Sequence, residues 1–304
     1  MYPSNIINWN EHYLKRGKTY YIIRLPDYKN GLILIYCVIA GHIAYALSKG
    51  WIPVVDMQNY PNIYLEPELL GKENSWEYYF CQPLGVGLDE AYAGDNIILS
   101  SKDIAQWPGT RVFNDIAFLI EWRTLVKLGF LKIKPEMYED IMKEFQSLFK
   151  NEDRVLGVKL RGTDFIALKP AHHPVQPPIE IAINTVRDLK NKWNCNKIFL
   201  ATEDHDIFLK FKEAFGDTCI TINKVYPDYK GKGSTGECKN QRKNDAFLQG
   251  KEYLTEIVIL SKCKCFVAAM CSGSVGAMLM TEGFEQMVVF NCGYYPDAPP
   301  SCSS

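Results

Sequence analysis

Between residues 151 and 290 the sequence alternates short β-branched, apolar runs with longer stretches of helical periodicity, and no other feature constrains the fold as strongly. The strand-like runs are residues 155–160, 197–201, 219–222, 265–268 and 287–290; helices are expected at about 179–193, after 204 to about 215, at about 246–260 and from 272. Strands separated by helices pair in parallel, so the expected sheet is parallel with helices on both faces. The charged turn Asn151-Glu152-Asp153-Arg154 that opens the region marks a domain boundary near residue 150. At 304 residues the chain has room for two domains, 1–150 and 151–304, with a cleft between them.

A hydrophobic fraction of 47% with 34 Lys and Arg against 35 Asp and Glu is the composition of a folded protein, which excludes extensive disorder. A net charge of −1 offers no basic face for nucleic acid. There are ten cysteines and no CxxC pair, and Cys37, Cys195, Cys219 and Cys265 sit in apolar segments, so reduced core thiols are expected. Cys263-Lys264-Cys265 would point its two sulfurs to opposite faces of a strand, and no metal site is expected. Residues 1–20, with Asn8, Glu11, His12, Lys15 and Arg16, lack the apolar core of a secretion signal, and a cytoplasmic protein is expected.

In the N-terminal half, residues 31–47 are apolar enough to suggest a membrane span. They carry His42 and two tyrosines, are interrupted by Gly41 and fall short of the ~20 residues a span needs, so a buried helix is the better reading. The run from Ile52 to Asp56 completes an α/β unit. In the segment 74–80, aromatics beside carboxylates and amides suit a sugar-facing surface, and equally a helix start capped by Asn74 or Ser75. Residues 115–150 read as two helices split near Lys134-Pro135.

Ligands of parallel α/β sheets bind at the carboxyl ends of the strands. Three polar groups fall there: Arg161-Gly162-Thr163-Asp164, Thr202-Glu203-Asp204 and Ser272-Gly273-Ser274. Singly, each could be an ion pair or a helix cap; together they suit a nucleotide diphosphate, with Arg161 on phosphate oxygens and the 272–274 helix start presenting free amides and hydroxyls. There is no phosphate-loop lysine motif and no GxGxxG after a strand, and Asp204-His205-Asp206 reads as a helix start rather than a metal-binding DxD.

In order and spacing, residues 157–164, 198–204 and 254–261 through 271–274 resemble the three donor-site motifs of a fucosyltransferase superfamily that includes the alpha-1,6-, nodulation and protein O-fucosyltransferases. That resemblance implies a GT-B-like α/β fold of two Rossmann-like domains, a GDP-sugar donor, no required metal or other cofactor, and inversion at the anomeric carbon. It implies Arg161 on the β-phosphate, Glu256 on guanine, Ser272 among the phosphate-binding hydroxyls, and Thr202, Glu203 and Asp204 as the second motif. The sequence departs from the family at Gly162, where a second arginine is frequent, at Lys159, where a histidine is frequent, and at Lys169, where the alpha-1,6 enzymes carry a glutamate base.

An inverting transfer needs a base beside the acceptor hydroxyl. Asp164 is the first candidate and His173 the second, with Lys169 instead helping to neutralise the diphosphate; Asp164 serves equally as an orienting partner of Arg161. The basic, glycine-rich loop 229–243 reads as a lid over an anionic donor or as a solvated loop. The expected acceptor is a saccharide or glycolipid met by His42, Trp76, Tyr78 and Tyr79, in surface-polysaccharide or lipopolysaccharide synthesis, with peripheral association at the inner membrane face. The rival readings are the same fold with another nucleotide-sugar donor, and a nucleotide- or glycan-binding protein without turnover.

Overall fold

A computed structural model of the chain describes residues 17–26, 30–101, 106–229 and 238–296. Residues 1–16, most of the expected lid loop and the proline-rich tail lie outside the described residues. The chain divides into two compact units, Met1–Asp140 with Arg242–Leu254, and Ile141–Gln241 with Thr255–Ser304. The sequence-based division at 150 did not anticipate that residues 242–254 group with the N-terminal unit.

The first unit holds β1 (Thr19–Ile23), β2 (Ile52–Val55) and β3 (Asn96–Leu99) in a parallel sheet of order β2-β1-β3. Helix α1 (Leu32–Ser48) follows β1. It is apolar all round and buried along nearly its whole length, as expected of a helix with no polar face. Its Gly41 is required by a close approach, because a Cβ there would run into the Gln106 carbonyl. No helix among the described residues is long and apolar enough to cross a membrane. A short helix α2 (Leu88–Tyr92) precedes β3, and α3 (Ile116–Lys127) is capped by Asp115, whose side chain accepts from the Phe118 amide. Helix α4 (Pro135–Leu148) begins at the proline that split the sequence pattern, the position where a missing N–H costs nothing.

The second unit is a five-stranded parallel sheet of β4 (Val155–Lys159), β5 (Lys197–Ala201), β6 (Cys219–Ile220), β7 (Cys265–Ala269) and β8 (Gln286–Phe290), in the order β6-β5-β4-β7-β8. Its crossovers are α5 (Asp164–Leu168), α6 (Ile179–Lys192), α7 (His205–Phe215), the part of α8 (Asp245–Lys262) from Thr255 onward, and α9 (Ser272–Met280); the first part of α8, to Leu254, groups with the first unit. Leu156, Val158, Ile198, Leu200 and Val267 from the sheet pack with Ala182, Val186 and Phe211 from α6 and α7 into one core. The chain leaves β4 toward β5 and β6, then returns to the other side of β4 to lay down β7 and β8. The strand order therefore reverses between β4 and β7, and their carboxyl ends flank the crevice where such sheets bind ligands. Strand β6 stops at Ile220, two residues short of the sequence expectation, because only Cys219 and Ile220 find partners on β5.

Candidate functional site at the carboxyl ends of β4, β5 and β7

Strand β4 ends in Lys159, and the next residues build a turn around one carboxylate from β5. Glu203 Oε1 accepts from the Gly162 amide at 2.9 Å and lies 3.3 Å from Arg161 Nε, while its Oε2 is 3.2 Å from Lys159 Nζ. Burial pushes the Glu203 carboxyl up, but the Arg161 and Lys159 cations and the Gly162 N–H outweigh it and hold it down at about 2. A single side chain thus fixes two cations and a backbone amide, and Lys159 keeps only 1% of its surface exposed.

Asp204 performs a second joining task. Its Oδ1 caps α7 by accepting from the Asp206 and Ile207 amides, and its Oδ2 accepts from the Thr163 amide at 2.8 Å. The DxD-like triplet is therefore a helix start, as its sequence suggested. Thr163 sits at φ +48°, and Gly162 is in contact with Asp204 so closely that a Cβ would overlap the carboxylate. This contact accounts for a glycine at the position. Asp164 accepts from Arg161 Nη2 at 2.5 Å, Thr163 Oγ1 at 3.2 Å and the Phe165 amide at 3.1 Å. The guanidinium of Arg161 also stands 4.9 Å from the Phe165 ring centre, so its plane is held from two directions.

At the end of β7, Cys271 caps α9. Ser274, expected as a donor-site hydroxyl, is fully buried; its Oγ lies 2.8 Å from both the Ala269 and Cys271 carbonyls, which share its one proton, and accepts from the Cys271 amide. Ser274 shapes the turn, Ser272 beside it is half-buried, and the first-turn amides of α9 have no acceptor within the helix itself. Arg161 and this helix start lie on the two strands that flank the reversal point.

The loop after α5 carries His173. Lys169 is its left-handed first turn, at φ +44°. The loop is pinned to the segment after β8 by the Pro174–Tyr294 bridge, by His172 N to Tyr295 O at 3.0 Å and by Val175 N to Gly293 O at 2.9 Å. Gln176 fastens it to the β7 end, donating to the Met270 carbonyl at 3.2 Å. The imidazole of His173 is exposed, stands edge-on to Phe165, and has Nδ1 3.0 Å from the Ala171 carbonyl. A carbonyl can only accept, so in the neutral ring the proton sits on Nδ1 and Nε2 offers a lone pair.

Sequence reasoning missed Lys224. Its ammonium donates to Glu256 Oε1 and to the Thr202 carbonyl, both at 2.6 Å, and stands over the Tyr226 ring. Glu256, expected to meet a base, is only 2% exposed; burial pushes its carboxyl up against the opposing pull of Lys224 and Lys159. Thr202 is buried beside this pair and its hydroxyl accepts from the Asp204 amide at 3.2 Å.

The sugar-facing reading of the first unit is corrected. His42, Trp76 and Tyr79 are fully buried. His42 is held by the Tyr21 hydroxyl at 2.9 Å, Trp76 stacks on Phe80, and Tyr79 lies parallel to Phe247 and donates to its carbonyl. Asn74 caps the 3-10 turn Ser75–Tyr78, which is the structural alternative the sequence allowed. Tyr78 is half-buried and donates to Glu73 at 2.7 Å. Every described cysteine is a free thiol, and among the described residues no cluster of His, Cys, Asp and Glu could hold a metal ion.

Parallel-stranded α/β units of this kind are the building blocks of the GT-B class of fold, among others, and solved structures that this chain resembles are fucosyltransferases of that fold. They include fucosyltransferase NodZ from Bradyrhizobium, 14% identical over 87% of this chain and 94% of that one, with a TM-score of 0.54. NodZ alpha-1,6-fucosyltransferase soaked with GDP-fucose is 15% identical over 87% of this chain and 93% of its own, at a TM-score of 0.51. POFUT1 in complex with GDP is 11% identical over 90% of this chain and 99% of its own, at 0.50. No family model and no curated protein sequence matches the chain. At these identities the likeness is one of fold.

Proposed function

We propose that the chain is an inverting glycosyltransferase that moves a sugar, most simply fucose, from a GDP-sugar to a saccharide or glycolipid acceptor without a metal ion, in surface-polysaccharide or lipopolysaccharide synthesis. The observation that carries this reading is the pairing of Arg161, clamped by Glu203, Asp164 and Phe165, with the α9 start across the β4–β7 reversal point. A guanidinium and a helix N-terminus together bind a diphosphate and stabilise it as it leaves. Complexes of the similar folds with GDP and GDP-fucose support the choice of nucleotide. In this reading residues 1–150 serve the acceptor and 151–304 the donor.

The base is His173 rather than Asp164. Asp164 is buried and accepts three hydrogen bonds, one from a guanidinium, so taking up an acceptor proton would break the clamp on Arg161. His173 is exposed, with its tautomer set by Ala171, and Nε2 can take the proton of the acceptor hydroxyl as that oxygen attacks the anomeric carbon. Lys169, two residues before Ala171, adds positive charge near the same loop.

Calorimetric titration with GDP and then UDP, each in excess EDTA, tests the reading. GDP binding that is lost in Arg161→Ala supports it; binding of UDP alone keeps the fold and replaces the donor; binding of neither, by folded protein, overturns it. His173→Asn is expected to leave GDP affinity unchanged and to lower transfer by about 10²–10⁴-fold.

A further inference from the structure

The amide of Gln176 is withdrawn from water, with only 7% of the residue exposed. Its Nε2 donates to the Pro174 carbonyl at 3.1 Å and to the Met270 carbonyl at 3.2 Å. Both partners can only accept, so the orientation of the amide is fixed and Oε1 is the atom on its other branch. That oxygen is buried as well, and among the described residues it has no hydrogen-bond partner. The Nε atoms of Arg24 and Arg161 are in the same state, but each stands 3.3 Å from a carboxylate. For Gln176 Oε1 the described residues supply no counter-group, and a desolvated acceptor without a donor costs free energy that folded proteins seldom leave uncompensated.

The surroundings of this amide point to the missing donor. Pro174 follows His173 in the loop after α5, and Met270 precedes Cys271, the residue that caps α9. One side chain therefore ties the loop that carries the base to the strand end that meets the diphosphate. The sugar that is transferred has to lie between those two, because its anomeric carbon is bonded to the β-phosphate and is attacked by the hydroxyl whose proton passes to His173. A diphosphate has no proton to donate at neutral pH, and the attacking hydroxyl gives its own to the imidazole. The donors that remain in that place are the ring hydroxyls of the transferred sugar.

We propose, resting on the GDP-sugar reading, that Gln176 is a specificity-determining contact: its buried Oε1 accepts a hydrogen bond from a ring hydroxyl of the sugar that is transferred. A site built to accept from a hydroxyl rejects the sugar that lacks it, since the oxygen is then left buried and unpaired. Nε2 holds the loop and the strand end together, so the same residue couples recognition of the sugar to placement of the base.

Calorimetry on the full chain in excess EDTA tests this, with GDP, GDP-fucose and the GDP-fucose analogues that carry fluorine in place of one ring hydroxyl each. Wild type is expected to bind one of these analogues about fivefold to tenfold more weakly than GDP-fucose, the loss of one hydrogen bond. Gln176→Met should bind GDP within about twofold of wild type, bind GDP-fucose about fivefold to tenfold more weakly, and no longer distinguish that analogue from GDP-fucose. Circular dichroism will show that the variant folds. Wild type that binds every analogue as tightly as GDP-fucose overturns the proposal, and that result needs no variant. A variant that loses GDP and GDP-fucose alike also overturns it, since that is the mark of a loop support alone. So does a variant that keeps the wild-type pattern across the analogues, which gives the oxygen to the acceptor saccharide or to internal packing. In these three cases wild type still binds GDP and the donor reading stands, whereas wild type that binds neither GDP nor GDP-fucose overturns both.

Discussion

Two buried ion pairs set the chemistry at the scale of single residues. Lys159 with Glu203 and Lys224 with Glu256 are both largely withdrawn from water, and such pairs contribute little net stability while being costly to break. Lys224→Met is expected to destabilise the protein by about 3–5 kcal/mol, because Glu256 keeps its burial and loses its cation; Lys224→Met with Glu256→Leu should recover most of that, measured by urea unfolding. A further variant examines the base contact expected of Glu256. If the carboxylate reads guanine, Glu256→Gln must weaken GDP more than UDP, whereas equal affinities would leave Glu256 as a counter-ion of Lys224 alone. Lys224 was not legible in the sequence, and Lys159 was marked there only as standing where a histidine is frequent in the resembled family: lysines default to the surface, and only the fold reveals that β4 and the segment after β6 turn these two inward.

The motifs at strand ends act at the scale of elements, as joints between β4 and β5. Asp204 caps α7 with one oxygen and holds the Thr163 amide with the other, so Asp204→Ala removes a helix cap and frees the turn that carries Arg161. A stability loss of about 1–2 kcal/mol is expected from the cap, accompanied by weaker diphosphate binding in calorimetry. Gly162→Ala should be worse for binding than for folding, since its Cβ displaces the Asp204 carboxylate from Thr163. These strand ends were legible because strand, polar tip and helix follow one another locally, and the split at Pro135 and the caps at Asn74 and Asp204 were legible for the same reason. Strands β1 and β3 were not. Thr19–Ile23 is buried at four of its five residues but stands alone behind a polar leader, and Asn96–Leu99 is largely exposed and so lacks the burial pattern that marks a strand. The aromatics at 76–80 misled because composition alone does not separate a core cluster from a sugar platform; their mutual stacking does.

At the scale of the whole molecule, each unit hides one titratable group whose protonation resists the folded state, and the two act in different pH windows. In the first unit, burial lowers the fully enclosed His42 from about 6.5 to about 4. Below pH 6.5 the unfolded chain binds a proton that folded His42 refuses, so stability falls as pH drops from 6.5 toward 4, at roughly 1.4 kcal/mol per pH unit and by about 3 kcal/mol in all. In the second unit Glu203 keeps its charge down to about 2 when folded but takes a proton near 4.5 when unfolded, so the stability it contributes is complete above 4.5 and is lost between 4.5 and 2. Urea unfolding measured from pH 7 to pH 3 on wild type, His42→Gln and Glu203→Gln separates the two. His42→Gln should be less dependent on pH between 6.5 and 4.5 than wild type, and Glu203→Gln should keep that slope while losing part of the fall below 4.5. The two effects belong to different units, so the double variant should show both losses additively. A wild-type slope that survives His42→Gln intact would mean that the burial of this histidine is not what makes the folded state acid-labile.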